Sequence, residues 1–529
     1  MESYRKARGY RLSQFTWPMI VSLIRKKAGL LIRWAAKKNI PGTTALLIKL
    51  YPQHIYHLSY FFLTKKNDVF KAYNAVTKWI PKTDKEISYK ERIQEIACII
   101  SSNEFNLCSM VHSETDSKFH TFNNKVMFCL HNSAPYDQAG YWHRTSAIFS
   151  SLTPSGVDLS AVTRPGYPWD LIKHRQEPRI LHDEQGGVTL DRLNDDEHQY
   201  RQVSDSRYVQ HYAAQVAELA RRSDISVIHG HSNYLNGLAA TQAAKILGVK
   251  SVYEARGLWH YTRLSKEPSY QHTDMFKYDD TMEKMAMHQA DAVVTLSSAM
   301  KSLIVSWGIP DSKVWIIPNA VDTESFHPLP REYSRRRKCV SDKTFLIGFI
   351  GSITVYEGLE DLIHACVQLN EKGLDIHLII IGSGPYEHEI RTLAAQHSCI
   401  SYHDRVPHSE VNDWYSTFDM CAYPRKSDIV CQYVPPMKVL EAMAMGIPVL
   451  VSNLEPLIEI VDNGKIGTIC KASDLSSLTE KIEYMYQNQD EIQMLAKKGI
   501  DWVKENRTWN RNANLYKKMY QSLYEIDTI

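Results

Sequence analysis

The chain has 529 residues, 44% of them hydrophobic and 23% charged, too long for one ordinary domain and with ample core material for two or three. Its nine cysteines are scattered at 98, 108, 129, 339, 366, 399, 421, 431 and 470; no Cys-x-x-Cys pair and no His cluster has zinc-ligand spacing, which argues against a structural zinc site and for a reduced compartment. The net charge of +3 hides an asymmetry, since residues 1–90 hold 18 Lys/Arg against 4 Asp/Glu and leave 44 against 55 in the remainder.

That asymmetry makes residues 1–121 a basic, helical extension whose expected partner is an anionic membrane surface rather than nucleic acid. Within it, Pro18 to Lys37 places Ile20, Leu23, Ile24, Leu30, Leu31 and Trp34 on one helical arc opposite Ser22, Arg25, Lys26 and Arg33, with Lys27 off the pattern. Such a helix lies in a membrane interface or packs on the protein's own body. Lys49 and Pro52 break the apolar stretch near Tyr60-Phe61-Phe62, so no segment reaches the roughly 18–20 residues needed to span a bilayer. No apolar run ending in a small-residue cleavage site follows Met1, and a cytoplasmic protein, peripheral at the inner face of the cell membrane, is expected.

From residue 122 to 330 strand and helix patterns alternate. Lys125 to Leu130 reads as a buried strand closed by His131-Asn132-Ser133; further strands are expected at Leu159 to Val162, Ile225 to Ile228, Ser251 to Tyr253, Ala292 to Thr295 and Val314 to Ile317. Helices fall at Ala147 to Leu152, Val209 to Arg221, Leu238 to Leu247 and Tyr278 to Gln289. After the basic, linker-like Arg335 to Lys338 a second round spans 342–508, with strands at Phe345 to Ile350, Ile376 to Ile381, Met420 to Tyr423 and Pro448 to Ser452. Its helices are Leu359 to Leu369, Glu387 to Ala395, Val411 to Phe418 and Lys438 to Met445. Alternation of this kind implies right-handed crossovers and parallel sheets. The fold class is therefore α/β, two Rossmann-like doubly wound domains in tandem, with residues 509–529 as a last helix folding back to brace the first.

In such sheets ligands sit beyond the carboxyl ends of the strands, which selects the residues directly after each strand. Gly351-Ser352 follows one strand and Gly382-Ser383-Gly384 the next; glycines there either admit a phosphate to backbone N–H groups or serve turn geometry alone. Tyr423-Pro424-Arg425 follows a third. Pro436 suits the first position of a helix capped by Gly446, with Lys438 in the first turn and Glu441 one turn on, on the same face. Glu441 has Met437, Ala444 and Met445 as helical neighbours, so its carboxylate needs a partner or a polar cleft. In the first domain His131 and the Gly140-Tyr141 loop follow the first strand, and His229 and His231 follow another, both on one side of the chain.

The run Val434-Pro435-Pro436-Met437-Lys438-Val439-Leu440-Glu441-Ala442-Met443-Ala444-Met445-Gly446 resembles the retaining glycosyltransferases of family 4, which have the GT-B architecture. Similar too are Val227 to Gly237, Tyr253-Glu254-Ala255-Arg256-Gly257-Leu258-Trp259, Ile317-Pro318-Asn319-Ala320-Val321-Asp322 and Asp404-Arg405-Val406-Pro407-His408. The resemblance covers roughly residues 125–529. It implies a nucleotide diphosphate-sugar as donor substrate, no separate cofactor and no metal, with the donor on the second domain and a glycan or lipid-linked acceptor on the first.

Residue by residue, the resemblance puts Glu441 at the ribose and His231 at the transferred sugar. Gly351, Ser352, Gly382, Gly384, Val406 and Tyr433 fall in the donor site; His131, Gly140, Tyr141, Arg144 and Arg256 are acceptor-side candidates, with surface salt bridges as the alternative for the two arginines. Tyr433 stands where the family has a first Glu, and Ser352 and Glu357 stand where it has a diphosphate-gripping Arg and Lys. Arg425 and Lys438 are the cations available to replace them, since a cation at a helix start opposes the helix dipole and calls for a bound anion. The Ser/Glu loop with a Pro-Pro-x-Lys helix resembles a variant subfamily. Two other functions stay open on the same fold: a scaffold that has lost catalysis and binds a partner enzyme, and a nucleotide-sugar 2-epimerase.

Overall fold

A computed structural model of the chain describes residues 59, 62–63, 67–77, 79–81, 83–102, 121–137, 140–194, 203–330, 334–335 and 344–525. The amphipathic pattern of Pro18 to Lys37 and the basic stretch beyond Arg335 lie outside these residues. The chain divides into two compact units, one of Met1–Cys108, Glu197–Tyr208 and Glu267–Met282, the other of Ser109–Asp196, Val209–Lys266 and Glu283–Ile529.

In the first unit, α1 (Val69–Thr77) and α2 (Asp84–Ser102) bury Val69, Ala72 and Val76 and Ile93, Ile96 and Ile99 respectively. Thr83 and Glu86 exchange side chain-to-backbone hydrogen bonds of 3.3 Å each way, a capping box that starts α2 where its apolar stripe begins. Among the described residues no helix is long and apolar enough to cross a membrane.

The second unit contains two sheets. The first, with its connecting helices, runs through β1 (Lys125–Leu130), α3 (Gly140–Leu152), β2 (Asp158–Thr163), β3 (His182–Gln185), β4 (Val188–Arg192), α4 (Asp205–Arg222), β5 (Val227–His231), α5 (Tyr234–Leu247), β6 (Lys250–Glu254), α6 (Trp259–Lys266), α7 (Asp274–Gln289), β7 (Ala292–Thr295), α8 (Ser298–Ser306) and β8 (Val314–Ile316), of which α4 up to Tyr208 and α7 up to Met282 belong to the first unit. Strand order is β3-β4-β2-β1-β5-β6-β7-β8; every pairing is parallel except β3 with β4. That antiparallel edge hairpin breaks the expected strict alternation.

The second sheet follows from β9 (Phe345–Ile350), α9 (Leu359–Glu371), β10 (Ile376–Ile381), α10 (Glu387–Ala394), β11 (Ile400–His403), α11 (Val411–Tyr415), β12 (Met420–Tyr423), α12 (Lys438–Ala444), β13 (Val449–Ser452), α13 (Glu455–Ile460) and β14 (Thr468–Cys470), with α14 (Leu475–Gln487) and α15 (Gln489–Asn506) after it. Its order, β11-β10-β9-β12-β13-β14, is parallel throughout. Continuous apolar runs such as Phe345-Leu-Ile-Gly-Phe-Ile350 are buried along their whole length, as strands covered on both faces must be. Both sheets are α/β doubly wound, and each reverses direction at one place, between β1 and β5 and between β9 and β12. The last helix, α16 (Trp509–Glu525), returns to the first sheet, where Trp509, Ala513, Tyr516, Met519 and Tyr520 share a core with Phe128, Phe149 and Val227.

Candidate functional site

The reversal between β9 and β12 sets Gly351-Ser352 beside Pro424-Arg425. Gly351 and Gly382 adopt φ of 152° and 150°, and a Cβ on Gly382 would lie 1.9 Å from the Gly351 carbonyl oxygen, one on Gly384 2.2 Å from that of Ile353. Backbone therefore packs on backbone here, which only glycine allows. Gly351 N donates to Ile381 O (3.0 Å), Ile353 N to Ser383 O (3.1 Å), Gly382 N to His403 O (3.1 Å) and Gly384 N to Glu387 Oε2 (3.0 Å). The amides of Gly351, Gly382 and Gly384 are thus engaged in loop packing, while Ser352 presents an exposed side chain at the turn.

Arg425 and Lys438 converge as expected on one place, but the anion between them belongs to the protein. Lys438 Nζ lies 2.7 Å from Glu357 Oε2, and Arg425 Nη2 donates to Glu357 Oε1 at 3.1 Å. Arg425 Nη1 also donates to Val434 O at 2.9 Å. All three side chains are at most 11% exposed. Burial raises the Glu357 carboxyl, but the two cations more than offset this and hold it below the ordinary carboxylate range; burial lowers Lys438 although Glu357 opposes the shift. One carboxylate thus stands between two cations at the reversal point, with the Glu441 carboxyl near enough to feel the Lys438 charge. Gly358, which follows Glu357 at φ 73°, is packed so closely on Pro424 that a Cβ would lie 2.0 Å from its carbonyl oxygen, and this pins Glu357 against the β12 turn.

The α12 helix begins at Lys438 rather than at Pro436, with Met437 at its N-cap and Met445 at its C-cap; Gly446, at φ 72°, follows. Glu441 is half-buried and accepts a hydrogen bond of 3.0 Å from Tyr415 Oη. Burial raises its carboxyl, against the hydrogen bond from Tyr415 and the charges of His408 and Lys438. Tyr423 Oη donates to Lys438 O at 3.1 Å, fixing the first turn from below. Tyr433 is half-buried and stands 6.0 Å, ring to ring, from Tyr261; Val406 packs on the edge of the second core.

In the first sheet the expected site residues separate into a surface group and a buried one. His131 N donates to Tyr141 Oη (3.0 Å), which donates to His231 O (3.3 Å), and the His131 ring lies edge-on 4.6 Å from Trp259, itself 38% exposed. Gly140 is exposed at the start of α3. His231, expected at a sugar, has no exposed surface: Arg256 Nη2 donates to its Nδ1 at 2.7 Å, and Phe128 and His229 pack on its ring. Burial, then the Arg256 charge, drives its pKa well below the usual histidine value; burial takes that of His229 down to about 3.

Arg144 and Arg256 are not surface salt bridges. Both donate through Nε to Glu254 Oε1, at 2.9 and 2.7 Å, and Glu254 is wholly buried. Arg144 spends its remaining donors on Ile317 O, Pro318 O, Asn319 Oδ1 and Tyr516 Oη, all within 3.1 Å. It does not reach the surface as an acceptor contact would. Arg256 also donates to Tyr141 O and Thr145 Oγ1. Among the described residues, His229, His231 and Glu254 bring ligand-type atoms within 4.8 Å of one another, yet Arg256 occupies His231 Nδ1 and both guanidiniums hold Glu254, which sets positive charge where a cation would bind.

Glu254, Glu357, Tyr415 and Tyr516 are the residues that sequence reasoning left without a role. Glu357 carried a signal, a charge reversed at a family cation position; Tyr415 pairs with Glu441 26 residues away and Tyr516 with Glu254 262 residues away. Within the second unit the loops of the two sheets also meet: Ser297 Oγ donates to Tyr433 O (2.7 Å), Asn319 Nδ2 to Pro435 O (2.9 Å), and Ser265 Oγ to Asp428.

With this geometry in place, two family models match the chain in succession: Glycosyltransferase Family 4 over residues 170–325 and Glycosyl transferases group 1 over residues 331–502. The capsular polysaccharide biosynthesis glycosyltransferase CapM of Staphylococcus aureus is 23% identical over 279 residues, 50% of this chain and 69% of the relative. Sucrose-phosphate synthase from Thermosynechococcus elongatus has a similar fold, with TM-score 0.63 at 16% identity over 76% of this chain and 99% of that one. So does Anabaena HepE in complex with UDP and glucose, with TM-score 0.58 at 13% identity over 75% and 99%. Two parallel sheets in tandem, matched by the two models one after the other, make this chain a glycosyltransferase of the group 1 and family 4 type on the GT-B fold.

Proposed function

We propose that the chain transfers a sugar from a nucleotide diphosphate-sugar to a glycan or lipid-linked acceptor with retention of configuration. The observation that carries this reading is the Arg425–Glu357–Lys438 cluster at the β9/β12 reversal, beside the half-buried Glu441. Two cations stand where open parallel sheets receive ligands, and the diphosphate leaving group of a sugar donor is the anion that glycosyl transfer presents. Glu441 then accepts the ribose hydroxyls, its orientation set by Tyr415. Arg425 and Lys438 stabilise the departing diphosphate, and its own oxygen helps to take the proton from an acceptor hydroxyl on the same face of the sugar. That route asks the protein for positioning and charge, not for a nucleophile.

The UDP carried by HepE and the polysaccharide role in the name of CapM support a nucleotide-sugar donor and a glycan product. Arg256, with His231 behind it and Tyr141 beside it, forms the first-domain half of the site. Residues 1–121 are read as the membrane-facing extension of an enzyme working at the inner surface of the cell membrane. Thermal denaturation against UDP-, GDP- and TDP-sugars tests the donor reading. One nucleotide series should stabilise the wild type, and Glu441→Gln should lose stabilisation by the free nucleotide as well as by the sugar donor. Indifference of the wild type to all three series would remove the basis for a nucleotide-sugar donor.

A further inference from the structure

Glu254 is a fully buried carboxylate at the end of β6 that the transfer chemistry does not use. Its Oε1 accepts from Arg144 Nε (2.9 Å) and Arg256 Nε (2.7 Å), and its Oε2 accepts from Tyr516 Oη at 2.6 Å. Tyr516 Oη in turn accepts from Arg144 Nη2 at 3.0 Å. Arg144, Glu254 and Tyr516 thus close a ring joining α3, β6 and α16. Arg256 hangs from it by one hydrogen bond and passes the order on to His231 Nδ1. Because a guanidinium only donates, that contact makes His231 Nδ1 an acceptor and leaves the ring proton on Nε2.

We propose that Glu254 and Tyr516 are positioning residues that hold Arg256 on the His231 ring, so that the C-terminal helix sets the first-domain half of the site. The inference rests on the reading that Arg256 belongs to that half. A carboxylate buried between two guanidiniums stabilises little against an apolar replacement, but it fixes two guanidinium planes at once, which is a geometric service. Tyr516 completes it, since its hydroxyl fills the second carboxylate oxygen and stops Glu254 from turning toward His229 Nε2, 3.5 Å away. The same ring reaches the second sheet's loops: Arg144 donates to Asn319 Oδ1, and Asn319 Nδ2 to Pro435 O, three residues before Lys438. The arrangement of Arg256 is therefore tied to the turn that leads into α12.

The test uses the full chain with Tyr516→Phe, Arg256→Gln, the double variant, and His231→Asn to assign the histidine signal. In long-range nitrogen–proton spectra of histidine-labelled protein, His231 should show an unprotonated Nδ1 in the wild type and lose that signature in both Tyr516→Phe and Arg256→Gln. In assays with UDP-glucose, UDP-N-acetylglucosamine and GDP-mannose, Tyr516→Phe should lower kcat about ten- to hundredfold with donor KM little changed, the size of a positional error near a reacting centre. It should add no further loss in the Arg256→Gln background. An unchanged His231 signature in Tyr516→Phe, or losses that multiply independently, would overturn the proposal. If Arg256→Gln keeps full turnover, it is the assignment of Arg256 to the site that fails, and the spectra still decide what Tyr516 holds.

Discussion

Glu357→Gln isolates the electrostatic logic of the donor side. The side chain is 4% exposed and ion-paired to Lys438 at 2.7 Å and to Arg425 at 3.1 Å. Removing its charge while keeping its shape leaves two buried cations without their counterion, a change that costs about 3–5 kcal/mol in such settings. Arg425 keeps its bond to Val434 O and its contact with Tyr356, and Lys438 keeps Phe349 beneath it, 4.1 Å from its ring centre, so the lower end of that range applies best. At roughly 2–4 °C per kcal/mol for domains of this size, the ligand-free protein should melt about 6–12 °C lower. A diphosphate supplies the missing negative charge: two unit charges about 5 Å apart at an effective dielectric of 20 interact by about 3 kcal/mol, roughly a hundredfold in Kd. Scanning calorimetry without ligand and titration with UDP and GDP should therefore show a protein weaker alone and tighter with nucleotide. Unchanged melting together with unchanged nucleotide affinity would refute the view that Glu357 stands in for the diphosphate between these cations.

Three further outcomes follow from the same geometry. Arg425→Ala with Lys438→Met should abolish most turnover, at a few kcal/mol of transition-state stabilisation, and Ser352→Arg with Glu357→Lys should partly restore Lys438→Met in steady-state assays; full activity of the double variant would show that cations are not required. Tyr415→Phe should weaken UDP binding about tenfold by freeing Glu441, the order of one hydrogen bond to a charged group, read by calorimetric titration. Acid should destabilise the second unit: His229 stays neutral when folded, its pKa near 3 against 6.5 when unfolded, so the unfolded state binds the extra proton and stability is lost as pH falls from about 6.5 toward 3, by about 1.4 kcal/mol per pH unit. The downward shift of His231 acts in the same direction, and melting temperatures of His229→Gln and wild type between pH 7 and 4.5 should converge as the pH falls.

The sheets were legible because their strands are apolar on both faces: Phe345 to Ile350 and Ile376 to Ile381 leave no other reading once helices separate them. The β3–β4 hairpin was not, because His182-Asp-Glu-Gln185 is an exposed polar edge with no apolar alternation, and the Gly186-Gly187 turn was its one usable signal. On the donor side, Arg425, Lys438 and Glu441 could be picked out from their positions after strands and on one helix face, but not the anion that joins two of them, since Glu357 lies 68 residues from Arg425. The orientation of His229 and His231 to one side followed from strand geometry. What covers that side did not, because Tyr516 and Tyr520 arrive from a helix nearly 300 residues later. Those tyrosines cover His229, and His229 with Phe128 and Arg256 covers His231, so a histidine after a strand looked like a cleft residue although its ring is buried.

The central claim, sugar transfer with retention from a nucleotide donor through the cluster at the β9/β12 reversal, is tested most directly by following the anomeric proton in real-time NMR. The wild type and the Arg425→Ala, Lys438→Met variant would each be incubated with UDP-glucose, UDP-N-acetylglucosamine and GDP-mannose, water taking the sugar in place of the acceptor hydroxyl. Nucleotide release by the wild type, with the first-formed sugar product keeping the anomeric configuration of its donor and the variant nearly inactive, is the expected result. An inverted product, or release that does not depend on the two cations, would contradict it.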